Sequence, residues 1–226
     1  MKRTGLLILV LALLALAAPV SAEAALPADF WGLVTNEAPK PEAAATLKAG
    51  GVESFRVPIN WGAVQPGRGD PPQWGSIDPY VRAGAEAGVS VLPFLVGAPG
   101  WVVHSEAVGG GRAPVSLPVQ TSSQRAAWRE FLRFAVFRYG PGGSFWAENP
   151  LLPEHPIRTW QIWNEENYKY FAARPSPSQY GQPVVNSYRD LRSADPGARI
   201  VLGGMFGRPK GGAVKAAPGW IKRQYF

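Results

Sequence analysis

The stretch Thr159-Trp160-Gln161-Ile162-Trp163-Asn164-Glu165-Glu166-Asn167-Tyr168 decides how the rest of the chain is interpreted. Its first part is rich in β-branched and aromatic residues, which favour a pleated strand, and it is apolar enough for burial on both faces, as in parallel strands. An amide, two carboxylates, a second amide and a phenol then follow directly. Carboxylates at the end of a buried strand are unfavourable unless they are paired or used. The stretch therefore predicts a catalytic glutamate at the carboxyl end of a barrel strand.

The amino terminus has the pattern of a secretory signal peptide. Lys2 and Arg3 precede an apolar run over residues 6–20, and small residues follow up to Ala22. The alternative is a membrane anchor, but the run is short for a spanning helix and no basic stop-transfer patch follows it. The sequence therefore predicts a signal peptide over residues 1–22, a single domain over residues 23–226 and a secreted product.

The composition is that of a globular protein, with 226 residues of which 46% are hydrophobic and 17% charged. The chain has no cysteine, so an exported product would be held together by its core rather than by disulfides. Its net charge of +7 is scattered rather than clustered, which argues against nucleic-acid binding. With two histidines and no cysteine, the sequence predicts no metal site and no cofactor. After signal cleavage it predicts no membrane contact.

Strand and helix patterns alternate along the chain. Strands are predicted over residues 30–34, 52–58, 89–96, 157–162 and 199–204. Helices are predicted over residues 41–49 and 78–87, from a capping box at 121–124, and over 178–190. Residues 97–119 and 140–156 are predicted to be loops. Alternating strands and helices imply a parallel sheet with right-handed crossovers.

The predicted fold is a (β/α)₈ TIM barrel of which about five βα units are present. Polar or aromatic residues follow several predicted strands: Asn36, Asn60-Trp61, Trp101 and Asn164-Glu165. Active-site residues of such barrels occupy this position. Neither a dinucleotide-binding Gly-x-Gly-x-x-Gly nor a phosphate loop is present in the expected place. Because a whole barrel typically has about 250 residues and no strand pattern follows the fifth, we expect a fragment or truncated product.

The sequence Trp163-Asn164-Glu165 resembles glycoside hydrolase clan A, whose barrels carry an Asn-Glu pair at the end of the fourth strand. Within that clan the chain is most similar, over residues 30–206, to the amino-terminal portion of the β-xylosidase/α-L-iduronidase and cellulase-like families. The resemblance implies retaining hydrolysis of β-linked polysaccharides or oligosaccharides. It implies that Glu165 is the acid/base and that Asn164 contacts the sugar 2-hydroxyl. It also implies a supporting role for Arg56 and a cleft-lining role for Trp101.

Two features depart from the family pattern. The family often has a proline after the Asn-Glu pair, where this chain has Glu166. The family nucleophile is a second glutamate at the end of strand seven, and no glutamate follows Glu166 in this sequence. We therefore keep an alternative function, a non-catalytic carbohydrate-binding or surface protein with a degenerate glycosidase fold.

The predicted site consists of a catalytic Glu165 and six substrate-binding residues: Asn164, Arg56, Asn60, Trp61, Trp101 and Tyr168. Each class of residue has a structural alternative. The two adjacent glutamates alternatively lie on a solvated loop, and the arginine alternatively pairs with a buried carboxylate. Asn60 alternatively forms a turn, Trp61 fills the core and Trp101 caps the barrel.

Overall fold

The computed structural model describes residues 26–207. The predicted signal peptide over residues 1–22 lies outside the described residues, as does the chain that follows residue 207. Five strands form one parallel sheet, arranged in chain order. They are β1 (Gly32–Leu33), β2 (Ser54–Asn60), β3 (Ser90–Val96), β6 (Thr159–Ile162) and β7 (Arg199–Leu202). Two further strands, β4 (Ser105–Val108) and β5 (Gly111–Pro114), form an antiparallel hairpin.

Helices separate the strands of the parallel sheet. They are α1 (Pro41–Ala49), α2 (Trp61–Val64), α3 (Asp78–Ala87), α4 (Ser122–Tyr139), α5 (Ser144–Glu148) and α6 (Pro177–Ala194). The predicted α/β architecture with a parallel sheet is confirmed. Over residues 26–207 the sheet is open, with β1 and β7 at its two edges. Within the same range, no helix combines the length and hydrophobicity needed to cross a bilayer.

Two segments predicted to be loops contain secondary structure. The hairpin of β4 and β5 lies within residues 97–119, and its two-residue turn is formed by Gly109 and Gly110 at φ angles of 44° and 87°. Glycine adopts such positive φ angles readily, and a Gly-Gly pair is a known hairpin signal. The other segment, residues 140–156, contains the short helix α5. A helix this short has too few residues to show a 3.6-residue periodicity.

The strands bury one face against the helices. On β2, Phe55, Val57 and Ile59 are buried in the main core, and on β6 the same is true of Trp160 and Ile162. Since side chains alternate along a strand, Arg56 and Gln161 lie on the opposite face, which is the inner face of the predicted barrel. Trp160 is therefore a core residue of the helical layer and does not line that inner face.

The predicted bounds of α1 and α3 agree with the structure, whereas α6 begins at Pro177 and continues to Ala194, past its predicted end at residue 190. The capping box that opens α4 is present, and α3 ends at Gly88 with a φ angle of 65°. Ile77 occupies the N-cap position of α3, so Asp78 is the first residue of the helix and not its cap. The Asp78 carboxylate instead accepts hydrogen bonds from Arg138 and from the hydroxyl of Tyr139 on α4. Asp78 thus links the start of α3 to α4.

Candidate active site

Side chains from three neighbouring strands converge at the carboxyl end of the parallel sheet. Arg56 lies on β2, Phe94 on β3 and Gln161 on β6. In the parallel register Phe94 pairs with Pro58 on one side and with Gln161 on the other. Paired residues project to the same face of a sheet, and so do residues two apart on one strand. These side chains therefore share the inner face, and Asn164 follows them two residues after β6 ends.

The guanidinium of Arg56 holds two amide side chains in place. Its Nε donates to Gln161 Oε1 at 2.8 Å, and its Nη2 donates to Asn164 Oδ1 at 2.6 Å. The ring of Phe94 lies against the guanidinium, with 4.0 Å between the Arg56 Cζ and the ring centroid. Gln161 is anchored again by its Nε2, which donates to the carbonyl of Trp163 at 2.8 Å. Because the donors of an arginine have a rigid planar geometry, this network connects β2 to the end of β6 in one arrangement.

Asn164 is left with a single orientation. Its side-chain oxygen accepts from Arg56, which has donors only, so its amide nitrogen lies on the other side of the carboxamide. Among the described residues that nitrogen has no hydrogen-bond partner, and Asn164 is only 7% exposed. The site thus presents a fixed N–H donor at the end of β6.

Glu165 lies beside this network on a turn with unusual backbone angles. Its φ angle is 38° and that of Trp163 is 66°, a region that non-glycine residues seldom occupy. The turn is held because the backbone N–H of Glu165 donates to the carbonyl of Gly204 at 2.9 Å. Partial burial raises the pKa of Glu165, and the positive charge of Arg56 partly opposes that rise. A half-buried carboxyl with a raised pKa is suited to donate a proton.

The next two residues face the protein interior. Glu166 is 1% exposed, and burial raises the pKa of its carboxyl to about 8, with a smaller contribution from the negative charge of Glu165 and partial opposition from its own backbone N–H. Asn167 is fully buried, and its side-chain oxygen accepts from the backbone N–H of Phe206 at 2.8 Å. Of the two adjacent glutamates, only Glu165 is therefore available to a substrate.

Trp61 and Asn60, both predicted to bind substrate, make contacts within the protein that account for their positions. The indole of Trp61 is 0% exposed, stacks on Phe131 with ring centroids 5.0 Å apart and donates through Nε1 to Gln65 Oε1 at 2.9 Å. It has no surface for a ligand, so it is a core residue and does not line the site. Asn60 is exposed, but its side-chain oxygen accepts from the N–H of Ala63 at 3.2 Å and caps α2.

Trp101 and Tyr168, the other predicted aromatic contacts, pack against protein rings. Trp101 is half-buried, meets Trp61 edge to face at 5.6 Å and has a cation–π contact with Arg68 at 5.7 Å. Its recorded contacts are thus with the core and a neighbouring loop rather than with Arg56. Tyr168 is joined to the turn of Glu165 by a backbone hydrogen bond, and one of its ring faces stacks on Phe206 at 4.6 Å. These contacts leave the proposed sugar-binding roles of both residues as predictions.

Two members of the site were not identified from the sequence. Gln161 is a buried amide within an apolar strand, and a buried polar group of that kind needs partners. Strand alternation puts Gln161 on the face of Thr159 and opposite Trp160, but it does not indicate Arg56 as the hydrogen-bond partner. Phe94 gave no signal, because an aromatic residue in a buried strand is ordinary core composition. Among residues 26–207, no group of three or more acidic or histidine side chains is arranged to hold a metal ion.

Comparison with known proteins gives matches at the level of structure. No protein-family model matches the sequence, and no curated protein sequence matches it. A family 39 glycoside hydrolase from Bacteroides cellulosilyticus WH2 aligns with a TM-score of 0.55 at 18% identity, covering 79% of this chain and 32% of that chain. A glucosidase from Croceicoccus marinus aligns with a TM-score of 0.55 at 14% identity, covering 87% and 41%. A monomeric β-xylosidase from Caulobacter crescentus CB15 aligns with a TM-score of 0.50 at 19% identity, covering 86% and 39%.

At these identities the likeness concerns the fold alone. The chain spans between 32% and 41% of the lengths of these three structures, so it corresponds to part of each. The described residues therefore have the fold of a portion of a glycoside-hydrolase TIM barrel.

Proposed function

We propose that this chain is the acid/base-bearing part of an exported retaining β-glycosidase with a closed (β/α)₈ barrel. The observation that carries the proposal is the 2.6 Å hydrogen bond from Arg56 to Asn164, which fixes the residue directly before Glu165 at the carboxyl ends of the strands. The substrate class is a β-linked polysaccharide or oligosaccharide, acted on outside the cell after removal of residues 1–22.

In this mechanism Glu165 is protonated when it meets the substrate and donates that proton to the glycosidic oxygen as the bond to the anomeric carbon breaks. A carboxylate about 5–5.5 Å away attacks the anomeric carbon and forms a glycosyl-enzyme intermediate. Glu165, now ionised, takes a proton from a water molecule as the water oxygen bonds to the anomeric carbon and the bond from that carbon to the second carboxylate breaks. The amide nitrogen of Asn164 donates to the 2-hydroxyl, a contact that strengthens in the transition state.

The second carboxylate is not supplied by the described residues that form the site. Glu166 is the nearest in sequence, but it is buried on the other side of the turn. We propose that the nucleophile comes from a later strand of the same barrel, outside residues 26–207.

The proposal is tested by replacing Glu165 in the protein expressed from the complete reading frame. Glu165→Ala should reduce kcat/KM for a substrate with a poor leaving group by about 10²–10⁴, the usual contribution of general acid catalysis. Substrates with an activated aryl leaving group need little protonation, so their glycosylation step should change much less. Azide should restore turnover of the activated substrate by entering the space of the missing carboxyl.

Glu86→Gln is the matched control, because Glu86 is exposed on α3. This variant should have the same kcat/KM as the parent protein for both substrates. An equal loss of activity for good and poor leaving groups in Glu165→Ala would contradict an acid/base role.

A non-catalytic carbohydrate-binding protein is the second candidate. It is favoured by Glu166, which occupies the position where the resembled family often has proline and which places no second carboxylate in the cleft. Calorimetric binding of a β-linked oligosaccharide without any hydrolysis, lost in Asn164→Ala, would support this function over the enzyme.

A further inference from the structure

The carboxyl group of Glu166 is buried, and no other described residue donates a hydrogen bond to it. The residue is 1% exposed, and neither of its oxygens has a hydrogen-bond partner in any other described residue; its own backbone N–H is the one group that favours the ionised form. One oxygen is packed so closely against Gly203 that a Cβ at that position would lie 2.1 Å from it. The carboxyl therefore occupies a space that exists because residue 203 is glycine.

This space lies in a seam between two segments, residues 162–167 after β6 and residues 203–206 after β7. Tyr180 of α6 bridges the segments, since its hydroxyl donates to the carbonyl of Ile162 at 2.7 Å and accepts from the N–H of Gly203 at 2.6 Å. The N–H of Glu165 donates to the carbonyl of Gly204 at 2.9 Å, which is a second link.

A third link comes from Asn167, which exchanges two hydrogen bonds with the backbone of Phe206, at 2.8 Å and 3.2 Å. The seam thus fixes the turn that carries Glu165 from both sides. Glu166 lies between Glu165 and Asn167 in the chain, and its carboxyl packs against Gly203, whose N–H donates to Tyr180.

The surroundings of Glu166 accept a neutral group and disfavour a charged one. Among residues 26–207, the titratable groups beside it are the phenol of Tyr180 and the carboxyl of Glu165, and the guanidinium of Arg56 donates instead to Gln161 and Asn164. An ionised carboxylate that is buried without hydrogen bonds or a cation is strongly destabilising. A negative charge on Glu165 adds repulsion.

We propose that Glu166 is a positioning residue that makes the geometry of the Glu165 turn depend on pH. Uncharged, it fills the seam and supports the turn; after losing its proton, it leaves the seam for water and displaces the turn. The consequence for catalysis rests on the proposed function of Glu165, but the structural change does not.

The direction of the pH effect follows from the two protonation states. Below about pH 4.3, the ordinary pKa of glutamate, Glu166 is protonated in the folded and the unfolded chain, and its burial adds no pH dependence. As pH rises from there towards the folded pKa of about 8, only the unfolded chain releases the proton. Stability is therefore lost progressively over that window and levels off above it.

Glu166→Gln tests this inference, because glutamine has the same size and cannot ionise. The thermal midpoints of the variant and the parent protein should coincide at pH 4, and the variant should melt about 5 °C higher at pH 8.5. Glu86→Gln removes an exposed carboxylate and should follow the parent protein at every pH. Midpoints of Glu166→Gln and the parent that stay parallel from pH 4 to pH 8.5 would overturn the inference.

Hydrogen exchange on the parent protein gives a measurement that needs no variant. After correction for the intrinsic pH effect, protection of residues 163–167 and 203–206 should fall about tenfold or more between pH 6 and pH 8.5. Unchanged protection there would also reject the proposal. Neither measurement uses turnover, so an inactive protein with the expected exchange would reject only the glycosidase function.

If the protein is active, the pH profile separates positioning from simple support. In the parent protein, kcat/KM should fall on the basic side of the pH profile more steeply than one ionisation allows. In Glu166→Gln it should fall with the slope of a single ionisation. A structural role without ionisation would lower activity equally at all pH values, and that result would contradict the proposal.

Discussion

Arg56 is the residue on which the geometry of the candidate site depends most. Its two hydrogen bonds, to Gln161 and Asn164, use donors from a single planar group, and its charge also acts on Glu165. A lysine has the charge, but its three N–H donors share one nitrogen, so it cannot hold both amides in the geometry of the planar guanidinium. Position and charge can therefore be separated by two substitutions at this residue.

Arg56→Lys should lower the free energy of unfolding by about 1–3 kcal/mol, because a buried amide loses its partner. It should leave the pKa of Glu165 nearly where it is, because the positive charge remains. Urea denaturation measures the first effect, and a carbon-detected NMR titration of the Glu165 carboxyl measures the second. Arg133→Lys is the matched control, since Arg133 is exposed on α4.

Arg56→Met should raise the pKa of Glu165 further, because burial already raises it and the opposing charge is removed. The protonated, proton-donating form of Glu165 then persists to higher pH in the same NMR titration. A pKa of Glu165 that stays constant in Arg56→Met would show that the guanidinium acts by position alone.

At the level of elements, the start of α4 joins the long segment after β3 to the helical layer. Thr121 caps the helix by accepting from the N–H of Gln124 at 3.2 Å, and Gln124 Oε1 accepts from the N–H of Thr121 and of Gln120. The amide nitrogen of Gln124 also donates to the carbonyl of Val102 at 3.1 Å. Gln124 thus ties a loop that the helix alone would not hold.

Gln124→Ala should therefore be more destabilising than Thr121→Ala. Loss of the threonine cap should lower the free energy of unfolding by about 1 kcal/mol, whereas loss of Gln124 should lower it by about 2 kcal/mol because three backbone groups lose their partners, among them the part-buried carbonyl of Val102. Ser122→Ala, at an exposed position in the same turn, should change it by less than about 0.5 kcal/mol. Equal effects at positions 121 and 124 would show that the contact with Val102 contributes nothing.

At the level of the whole molecule, the sequence predicts the order of elements well and the positions of side chains less well. Period-two alternation and glycine or proline boundaries were enough to place all five parallel strands, and the change from apolar to polar residues was enough to place Glu165 just after β6. The catalytic role of Glu165 stays a prediction. Trp61 could not be placed, because tryptophan after a strand is equally compatible with a cleft and with a core. Gln161 could not be matched to Arg56, because their contact joins strands 105 residues apart in sequence.

The contacts of Trp61 indicate a role in the aromatic core, and that role can be tested by comparing Trp61 with a tryptophan on the surface. Trp61 is in contact with Phe131, Trp128 and Trp101, so its ring connects α2, α4 and the segment after β3. Trp61→Ala should lower the free energy of unfolding by about 3–5 kcal/mol, the usual effect of removing a fully buried aromatic side chain. Trp31 is 60% exposed, and Trp31→Ala should lower it by less than about 1 kcal/mol. If Trp61→Ala instead weakened oligosaccharide binding while leaving urea denaturation unchanged, the residue would return to the site from which its burial removes it.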